Sequence, residues 1–397
     1  MKRKISLKTT LTLMLAASAL TCLIIALTAG RVLGLFSERF DHVVQFSALL
    51  SVIEERFIGD YDLEEISTAA MRAAVETLDD DWSYYMTPTE LEDHRNRTSN
   101  RFTGIGVGVT EDENTGGIQV LYVHRGSAAE TAGIIAGDVI IAVDGTDVTG
   151  FRINELRDIL ARPVDSTAEV TVRRSDGAID RLTVVYGFVF LDPIFYEMLD
   201  DDIGYIAISN FNSGASRSFI SAVDDLSKMG ARALVFDVRG NAGGILNEMV
   251  GILDHIISKG EIFISMERNG AEQIIHSTET SYFDFPAVVL VNRHSYSAAE
   301  YFAATLREYG YAEIVGEQTS GKSRSQQIFE LPRGGAVNIS SAQYLTKNRV
   351  SLHDTGGLTP DYLISLSNEQ VALLVSGHLD RSEDTQLIKA LTLLTKQ

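Results

Sequence analysis

Cysteine and positive charge are both scarce in this sequence. Its 397 residues include one cysteine, Cys22, which lies in an apolar stretch. A disulfide framework, a thiolate metal site and a cysteine nucleophile are therefore excluded from the rest of the chain. Lys and Arg number 34 against 54 Asp and Glu, and the formal charge of -20 repels the phosphate backbone of nucleic acids. No nucleic-acid partner is expected.

Metal-ligand spacing is also missing, since no set of His, Asp and Glu residues has the separation that a metal site needs. We therefore expect a site without metal or other cofactor. Its chemistry must come from side-chain oxygen and nitrogen atoms.

The N-terminus combines positive charge with a long apolar run. Four basic residues lie among the first eight, and the run extends from Thr9 to Gly30. A helix needs about 20 apolar residues to cross a bilayer, and basic residues before it keep that end in the cytoplasm. No Ala-x-Ala site follows for a signal peptidase. We expect residues 1–30 to be a single-pass membrane anchor, with a cleaved signal peptide as the alternative, and the remaining chain to be extracytoplasmic.

Helical spacing of apolar residues marks the next region. The pattern runs from Val43 to Phe57 and from Ile66 to Leu78. Thr87 and Pro88, followed by Glu90, form a helix-start signal with a capping box. These features predict a helical N-terminal region at residues 31–100.

Short strands with alternating apolar residues follow over residues 101–188. They centre on Val120, Ile141 and Val170, with a hairpin signal at Asp144 and Gly145. One helix is predicted from Ile153 to Leu160. This pattern indicates a small β-domain with a covering helix.

Strands and helices alternate from Ile203 onward. Buried strands are predicted at 203–208, 233–236, 287–291 and 313–315, with helices between them. Such alternation favours an α/β core with largely parallel strands. We assign this core to residues 189–366 and a C-terminal helical segment to residues 367–397.

Two of these strands run into loops that suit catalysis. The first loop ends in Gly243 and Gly244, and the second contains Ser297 directly before a helix. Loops at the carboxyl ends of strands form the ligand crevice of α/β sheets. Backbone N–H groups at glycines and at helix N-termini favour negative charge, which suits an oxyanion hole beside a nucleophile. Taken singly, a glycine turn and an N-cap serine would look the same.

The ordered set of motifs resembles the carboxyl-terminal processing peptidases, also called tail-specific proteases. The resemblance covers nearly all of the chain after the predicted anchor. The matching segments are the nucleophile motif at 291–300, the lysine motif at 316–326, the oxyanion loop at 237–244 and the Gly-x-x-Pro-Asp motif at 357–361.

The resemblance implies a role for each of five residues. Ser297 is the implied nucleophile and Lys322 the general base, with Gln326 orienting the lysine. The backbone N–H groups of Gly243 and Ala298 are the implied oxyanion hole. The implied activity is that of a serine-type endopeptidase acting near the C-termini of extracytoplasmic proteins.

The implied fold class is α/β, with a crotonase/ClpP-like peptidase core. The resemblance also implies an inserted-type PDZ domain, which is β-barrel-like with helices, and N-terminal helices after the anchor. Ala242 stands where the family usually has proline, and Ala299 where it usually has a third serine. Both departures lie outside the reacting groups.

A lysine base requires a perturbed pKa. The free side chain has a pKa of about 10.4, so Lys322 must be desolvated before it can accept a proton at neutral pH. The uncharged amide of Gln326 suits this role because a carboxylate there would raise the lysine pKa.

The β-domain resembles a PDZ domain. In such domains free backbone N–H groups hold a peptide C-terminus while the peptide adds as a strand. The matching residues are Gly104, Ile105, Gly106 and Val107. The expected partner is therefore a substrate C-terminus, and the family also suggests a homodimer through helices at 41–80.

Three alternatives stand beside this interpretation. Residues 316–323 fit a P-loop pattern, but the segment after Lys322 reads as extended rather than helical, so we treat the match as accidental. His294 adjoins the nucleophile loop and is a reserve candidate for the base. A catalytically silent PDZ scaffold would carry the same motifs.

Overall fold

The computed structural model describes residues 18, 20, 21, 40–112, 117–124, 126–278 and 284–395. The predicted membrane anchor at residues 1–30 thus lies outside the described residues, apart from three positions. Within the described ranges, no helix combines the length and apolar character needed to cross a membrane. The chain forms two compact units, Met1–Thr77 and Leu78–Gln397.

From residue 40 onward the first unit contains two helices. Helix α1 covers residues 40–56, and α2 is Leu63–Glu76. Asp62 caps α2 by accepting a hydrogen bond from the Glu64 N–H at 2.7 Å. Phe40, Val43 and Leu49 of α1 are all more than half exposed.

The second unit begins with a strand that the sequence analysis missed, β1 (Tyr84–Met86), and then α3 (Pro88–Thr98). The predicted capping box forms, because the Thr87 N–H donates to Glu90 Oε2 at 2.8 Å and the Glu90 N–H to Thr87 Oγ1 at 3.3 Å.

The small β-domain follows. Its elements are β2 (Arg101–Gly104), β3 (Val107–Asp112), β4 (Gly117–Val123), α4 (Ala128–Ala132), β5 (Val139–Val143), β6 (Thr146–Asp147), α5 (Ile153–Leu160), β7 (Thr167–Arg173), β8 (Ile179–Val185) and β9 (Gly187–Phe190). The main sheet has the antiparallel order β3-β4-β5-β7-β8, while β2 pairs with β9. Its core is built from inward-facing residues such as Ile118, Ile140 and Val170, and Leu156 of α5 covers it.

The α/β core occupies the rest of the unit. Its elements are β10 (Ile194–Met198), β11 (Ile203–Ile208), α6 (Ala215–Met229), β12 (Ala233–Asp237), α7 (Leu246–Ile256), β13 (Glu261–Glu267), β14 (Glu272–His276), β15 (Ala287–Val291), α8 (Ala298–Glu308), β16 (Ala312–Gly316), β17 (Arg324–Glu330), β18 (Ala336–Leu345), β19 (Tyr362–Leu363), α9 (Asn368–Val375) and α10 (Thr385–Leu394).

The central sheet has the order β10-β11-β12-β15-β16-β19 and is parallel except for β10. The strands β12 and β15 are buried along their whole length, which explains their continuous apolar sequences. Their carboxyl ends are adjacent, since Asp237 pairs with Leu290. The two loops singled out in the sequence therefore leave the sheet side by side.

A second, antiparallel sheet was not predicted. It has the order β1-β18-β13-β14, with β17 also paired to β18. The segment after Lys322 is thus the strand β17 and not a helix. A P-loop needs a helix N-terminus at that point to hold phosphate, so the structure does not form one there.

Candidate active site

The serine loop ends in a strained turn. Ser297 has φ 54° and ψ -116° and stands directly before α8. A non-glycine residue at positive φ is rare and costs free energy, which makes such a position a common mark of functional sites. The turn places Ser297 at the N-terminus of a helix, where developing negative charge is favoured.

Hydrogen bonds between the two loops hold this turn. Ser295 Oγ donates to the Val238 carbonyl at 2.8 Å and accepts from the Asn292 N–H at 3.0 Å. The Tyr296 N–H donates to the Asn241 carbonyl at 2.9 Å. Ser295 is fully buried and belongs to the scaffold, so Ser297 is the serine of this loop that lines a cleft.

Gly243 lies against the serine. A Cβ atom at Gly243 would stand 3.0 Å from Ser297 Cβ and 3.2 Å from the Ala298 nitrogen. The Gly243 N–H, however, donates to Asn241 Oδ1 at 2.8 Å. Among the described residues, the N–H groups of Gly244 and Ala298 have no acceptor, and both residues line the cleft.

A buried carboxylate joins the serine turn to the lysine segment. Glu300 Oε2 accepts from the N–H groups of Ser297 and Lys322, both at 2.9 Å. Glu300 Oε1 accepts from the Gly321 N–H at 2.6 Å and from Thr319 Oγ1 at 2.5 Å. Burial raises the pKa of Glu300 above its ordinary value, although these hydrogen bonds act in the opposite direction.

The Lys322 side chain lies in the same cleft as Ser297. Its Nζ is 3.9 Å from the ring centroid of Trp82. In the part of the chain that the structure describes, Nζ has no hydrogen-bond acceptor. Burial lowers the pKa of Lys322, and the carboxylates of Asp80 and Glu300 oppose that shift. The Lys322 side chain is therefore partly desolvated, which is a requirement for a lysine base.

Tyr344 contacts both segments and was missed in the sequence. Its hydroxyl donates to the Lys322 carbonyl and lies close enough to the Ser297 side chain for that side chain to influence its pKa. Burial raises the pKa of Tyr344, so the phenol stays protonated. No sequence signal marked this residue, because it reaches the site from the unpredicted strand β18.

Gln326 lines the cleft without contacting the lysine amine. Its Nε2 donates to the Arg324 carbonyl at 2.8 Å and to Ser340 Oγ at 3.1 Å. The predicted orienting role of Gln326 stays a prediction.

The cleft itself has a volume of about 700 Å³. Much of its wall is apolar, formed by residues such as Leu246, Met249, Phe263 and Ile328. Such a wall excludes water and suits an apolar substrate side chain. His294 lies elsewhere, in a neighbouring cleft, where its Nδ1 is 3.2 Å from the Tyr296 hydroxyl. Within the described ranges, no group of three His, Cys, Asp or Glu side chains could hold a metal ion.

The loop predicted to bind a peptide carboxylate contains a glycine with positive φ. Gly106 has φ +82°, and a Cβ there would stand 2.3 Å from Ser127 Cβ. Only glycine fits this position. The carbonyls of Ile105 and Gly106 accept from Ala129 and His124, whereas the N–H groups of Ile105 and Gly106 lack an acceptor within the described residues. Gly104 and Val107 flank this loop as the ends of β2 and β3.

Comparison with known protein families matches two parts of the chain. Residues 202–364 match peptidase family S41, and residues 119–174 match the PDZ domain.

Curated relatives support the same family. The carboxy-terminal processing protease CtpA of Bacillus subtilis is 31% identical over 308 residues, which cover 76% of this chain and 66% of the relative. This match therefore spans just under two thirds of that relative's length. The carboxyl-terminal-processing protease of Picosynechococcus is 30% identical over 324 residues, covering 80% of this chain and 77% of the relative.

A solved structure shows the same fold. A Bacteroides fragilis protein described as an S41 protease aligns with a TM-score of 0.51 at 18% identity, covering 86% of this chain and 92% of the other.

The chain therefore belongs to the S41 family of carboxyl-terminal-processing proteases and carries a PDZ domain ahead of its peptidase domain.

Proposed function

We propose that the chain is a serine-type endopeptidase in which Ser297 is the nucleophile and Lys322 the general base. The observation that carries this proposal is the meeting of the two segments at one apolar cleft. Glu300 binds the backbone of both residues, and Tyr344 contacts both. The lowered pKa of Lys322 favours the neutral form of the amine that the reaction needs.

The chemistry follows from these positions. Ser297 Oγ attacks the scissile carbonyl carbon while its proton passes to Lys322 Nζ. The carbonyl oxygen becomes negative, and the free N–H of Ala298 at the start of α8 stabilises it. The second donor is the N–H of Gly244, or that of Gly243 once its bond to Asn241 breaks. The protonated lysine then gives its proton to the leaving amine, and water hydrolyses the acyl-enzyme.

The test of the dyad uses a peptide with an apolar C-terminus and a fluorophosphonate probe. Ser297→Ala and Lys322→Ala are expected to lose at least roughly a thousandfold in kcat/KM, because dyad members act as a unit. Lys347→Ala is the matched control, since Lys347 Nζ also lies 3.9 Å from an aromatic ring, that of Tyr309. Full cleavage by either dyad variant, or a serine other than Ser297 labelled by the probe, rejects the assignment.

A silent PDZ scaffold predicts a different outcome. It would bind the peptide with unchanged affinity in all variants, and the probe would label no serine even with peptide present.

We further propose that Gly104, Ile105, Gly106 and Val107 capture the substrate C-terminus. The unpaired N–H groups of Ile105 and Gly106 support this role. Amidation of the peptide C-terminus is expected to raise KM about tenfold, since a charge-assisted hydrogen bond contributes about 1.5–3 kcal/mol. Gly106→Ala should raise KM similarly. Gly177→Ala is its control, having φ +87° but open space at Cβ. Unchanged KM with the amidated peptide contradicts capture.

Finally, the basic and apolar N-terminal sequence supports a site of action outside the cytoplasm with residues 1–30 as the anchor. Protease accessibility of the core in sealed spheroplasts tests the location. Carbonate extraction of membranes tests the anchor, and release of the full chain into the soluble fraction contradicts it.

A further inference from the structure

Trp82, the only tryptophan of the sequence, lies on a loop that is firmly attached to the second sheet. Its carbonyl accepts from Asn338 Nδ2 at 2.9 Å. The next residue, Ser83, accepts from the Ser340 N–H at 3.0 Å and donates to Asp80 Oδ2 at 2.5 Å. The backbone at Trp82 is therefore anchored, and its indole lines the cleft.

The indole face is the contact that the Lys322 ammonium makes in this structure. Its Nζ stands 3.9 Å from the ring centroid, well within the range of a cation–π interaction. Nζ has no hydrogen-bond acceptor among the described residues, so the ring is its direct contact, while the carboxylates of Asp80 and Glu300 act on its charge without a hydrogen bond. The Ser297 side chain, which is expected to meet this amine, lies near the Tyr344 hydroxyl.

We propose that Trp82 is a positioning residue that holds Lys322 in its protonated form and releases it when the amine becomes neutral. The attraction of an aromatic face acts on a cation and is lost when the proton leaves to solvent. Trp82 thereby links the protonation of Lys322 to the freedom of its side chain to turn toward Ser297. The inference rests on the proposed dyad and deepens it.

Other charged and titratable groups also face this lysine. The carboxylates favour the ammonium, as Trp82 does, and Arg324 is engaged with Asp80 at 2.9 Å. Burial and the nearby Arg97 lower the pKa of His94, so this imidazole titrates below its usual range. The charged and titratable groups that act on Lys322, line the cleft with it or pair with Asp80 are Asp80 and Asp81 on the loop, Tyr84 on β1, His94 on α3, Glu300 and Tyr301 on α8, Arg324 on β17 and Tyr344 on β18.

The kinetic experiment is the pH dependence of kcat/KM. Trp82→Leu keeps an apolar side chain over Lys322 but removes the aromatic ring that favours the charged amine. The acid limb of the pH profile of kcat/KM is therefore expected to move to lower pH by roughly half to one unit. Trp82→Phe keeps a weaker ring and should move the limb less. A limb that stays in place in Trp82→Leu overturns the proposal. A limb that moves equally in both variants shows a packing effect and overturns it as well.

The spectroscopic experiment needs no peptidase activity. Because Trp82 is the sole tryptophan, its selectively excited fluorescence reports on the amine beside it. The emission of the full chain is expected to titrate with pH, and Lys322→Met should abolish that titration. Lys347→Met and His94→Gln should leave it unchanged. A titration that survives Lys322→Met, or disappears with His94→Gln, rejects the proposed contact. If Ser297→Ala still cleaves peptide while the emission titrates normally, the peptidase assignment fails and the contact stands.

Discussion

Two buried charges near the two catalytic loops are stabilised in opposite ways. Arg239, directly after β12, pairs with Asp237 at 2.6 Å and with Asp384 at 2.8 Å. Glu300, in α8 after β15, forms no ion pair within the described ranges and instead accepts hydrogen bonds from neutral backbone and hydroxyl donors. Glu300 is fully buried, and 2% of the Arg239 side chain is exposed.

The difference shows what each cluster contributes. The ion pairs of Arg239 fasten the N-terminus of α10 to the oxyanion loop, because Asp384 is also the N-cap of that helix. The neutral donors of Glu300 instead fix the backbone of Ser297 and Lys322 relative to each other. Ion pairing thus joins two parts of the fold, while the hydrogen-bonded carboxylate aligns the two segments proposed to react.

The largest expected effect comes from breaking the paired cluster. Arg239→Met leaves Asp237 and Asp384 buried without a cation, which should lower the free energy of unfolding by about 3–5 kcal/mol. Urea unfolding measures this change. Arg381→Met, at an exposed ion pair with Glu197, is the control and should cost less than about 1 kcal/mol. Equal losses in both variants would remove the distinction between the clusters.

A smaller loss of stability but a larger loss of activity is expected from Glu300→Gln. The NH₂ group of the glutamine amide cannot accept a hydrogen bond from a backbone N–H, so one hydrogen bond of the cluster is lost. This loss should lower the free energy of unfolding by about 1–3 kcal/mol. The fall in kcat should exceed tenfold, because the Ser297 turn and Lys322 lose their common acceptor. Glu308→Gln on the same helix, which accepts from the Asn348 N–H, is the control. A stable Glu300→Gln protein with normal kcat contradicts the alignment role.

Substitutions at Thr319 measure how much one neutral donor to Glu300 contributes to stability. Its hydroxyl donates to Glu300 and accepts from the Leu358 N–H at 2.7 Å. Thr319→Val should reduce the unfolding free energy by about 1–2 kcal/mol, whereas Thr319→Ser retains the hydroxyl and should cost less. Urea unfolding of the pair decides this, and a serine variant as unstable as the valine variant would point to packing alone.

The smallest expected effect is the pH dependence of the Glu300 cluster. Because the folded pKa of Glu300 is raised above that of the unfolded chain, the native state holds this proton more tightly. The stability difference between the natural protein and Glu300→Gln should therefore favour the natural protein in acid. It should shrink as pH rises from the unfolded pKa through the folded one. Urea unfolding over a pH series measures it, and a difference that grows with pH is the contrary result.

Local patterns of the sequence predicted much of this fold. The buried strands, the α5 helix and the capping box at Thr87 depend on neighbouring residues, and the structure has each of them. The serine and lysine segments could be named from motifs, and their meeting follows from adjacent parallel strands.

Long-range contacts could not be read in the same way. Tyr344 reaches the site on the strand β18, and Trp82 reaches it on the loop before β1. These two strands pair although they are far apart in the sequence, as Tyr84 and Asn338 are. Neither residue stands in a motif. The bond from the Gly243 N–H to Asn241 depends on a side-chain orientation that sequence spacing does not specify.

The backbone conformation at position 297 is unfavourable for serine, the residue that the proposed activity needs. A left-handed φ of 54° is one that glycine adopts freely and serine adopts at a cost of about 1–3 kcal/mol. Ser297→Gly, which lacks the proposed nucleophile, should therefore resist urea better than the natural protein. The proposed nucleophile thus occupies a position where a residue without the hydroxyl would be more stable.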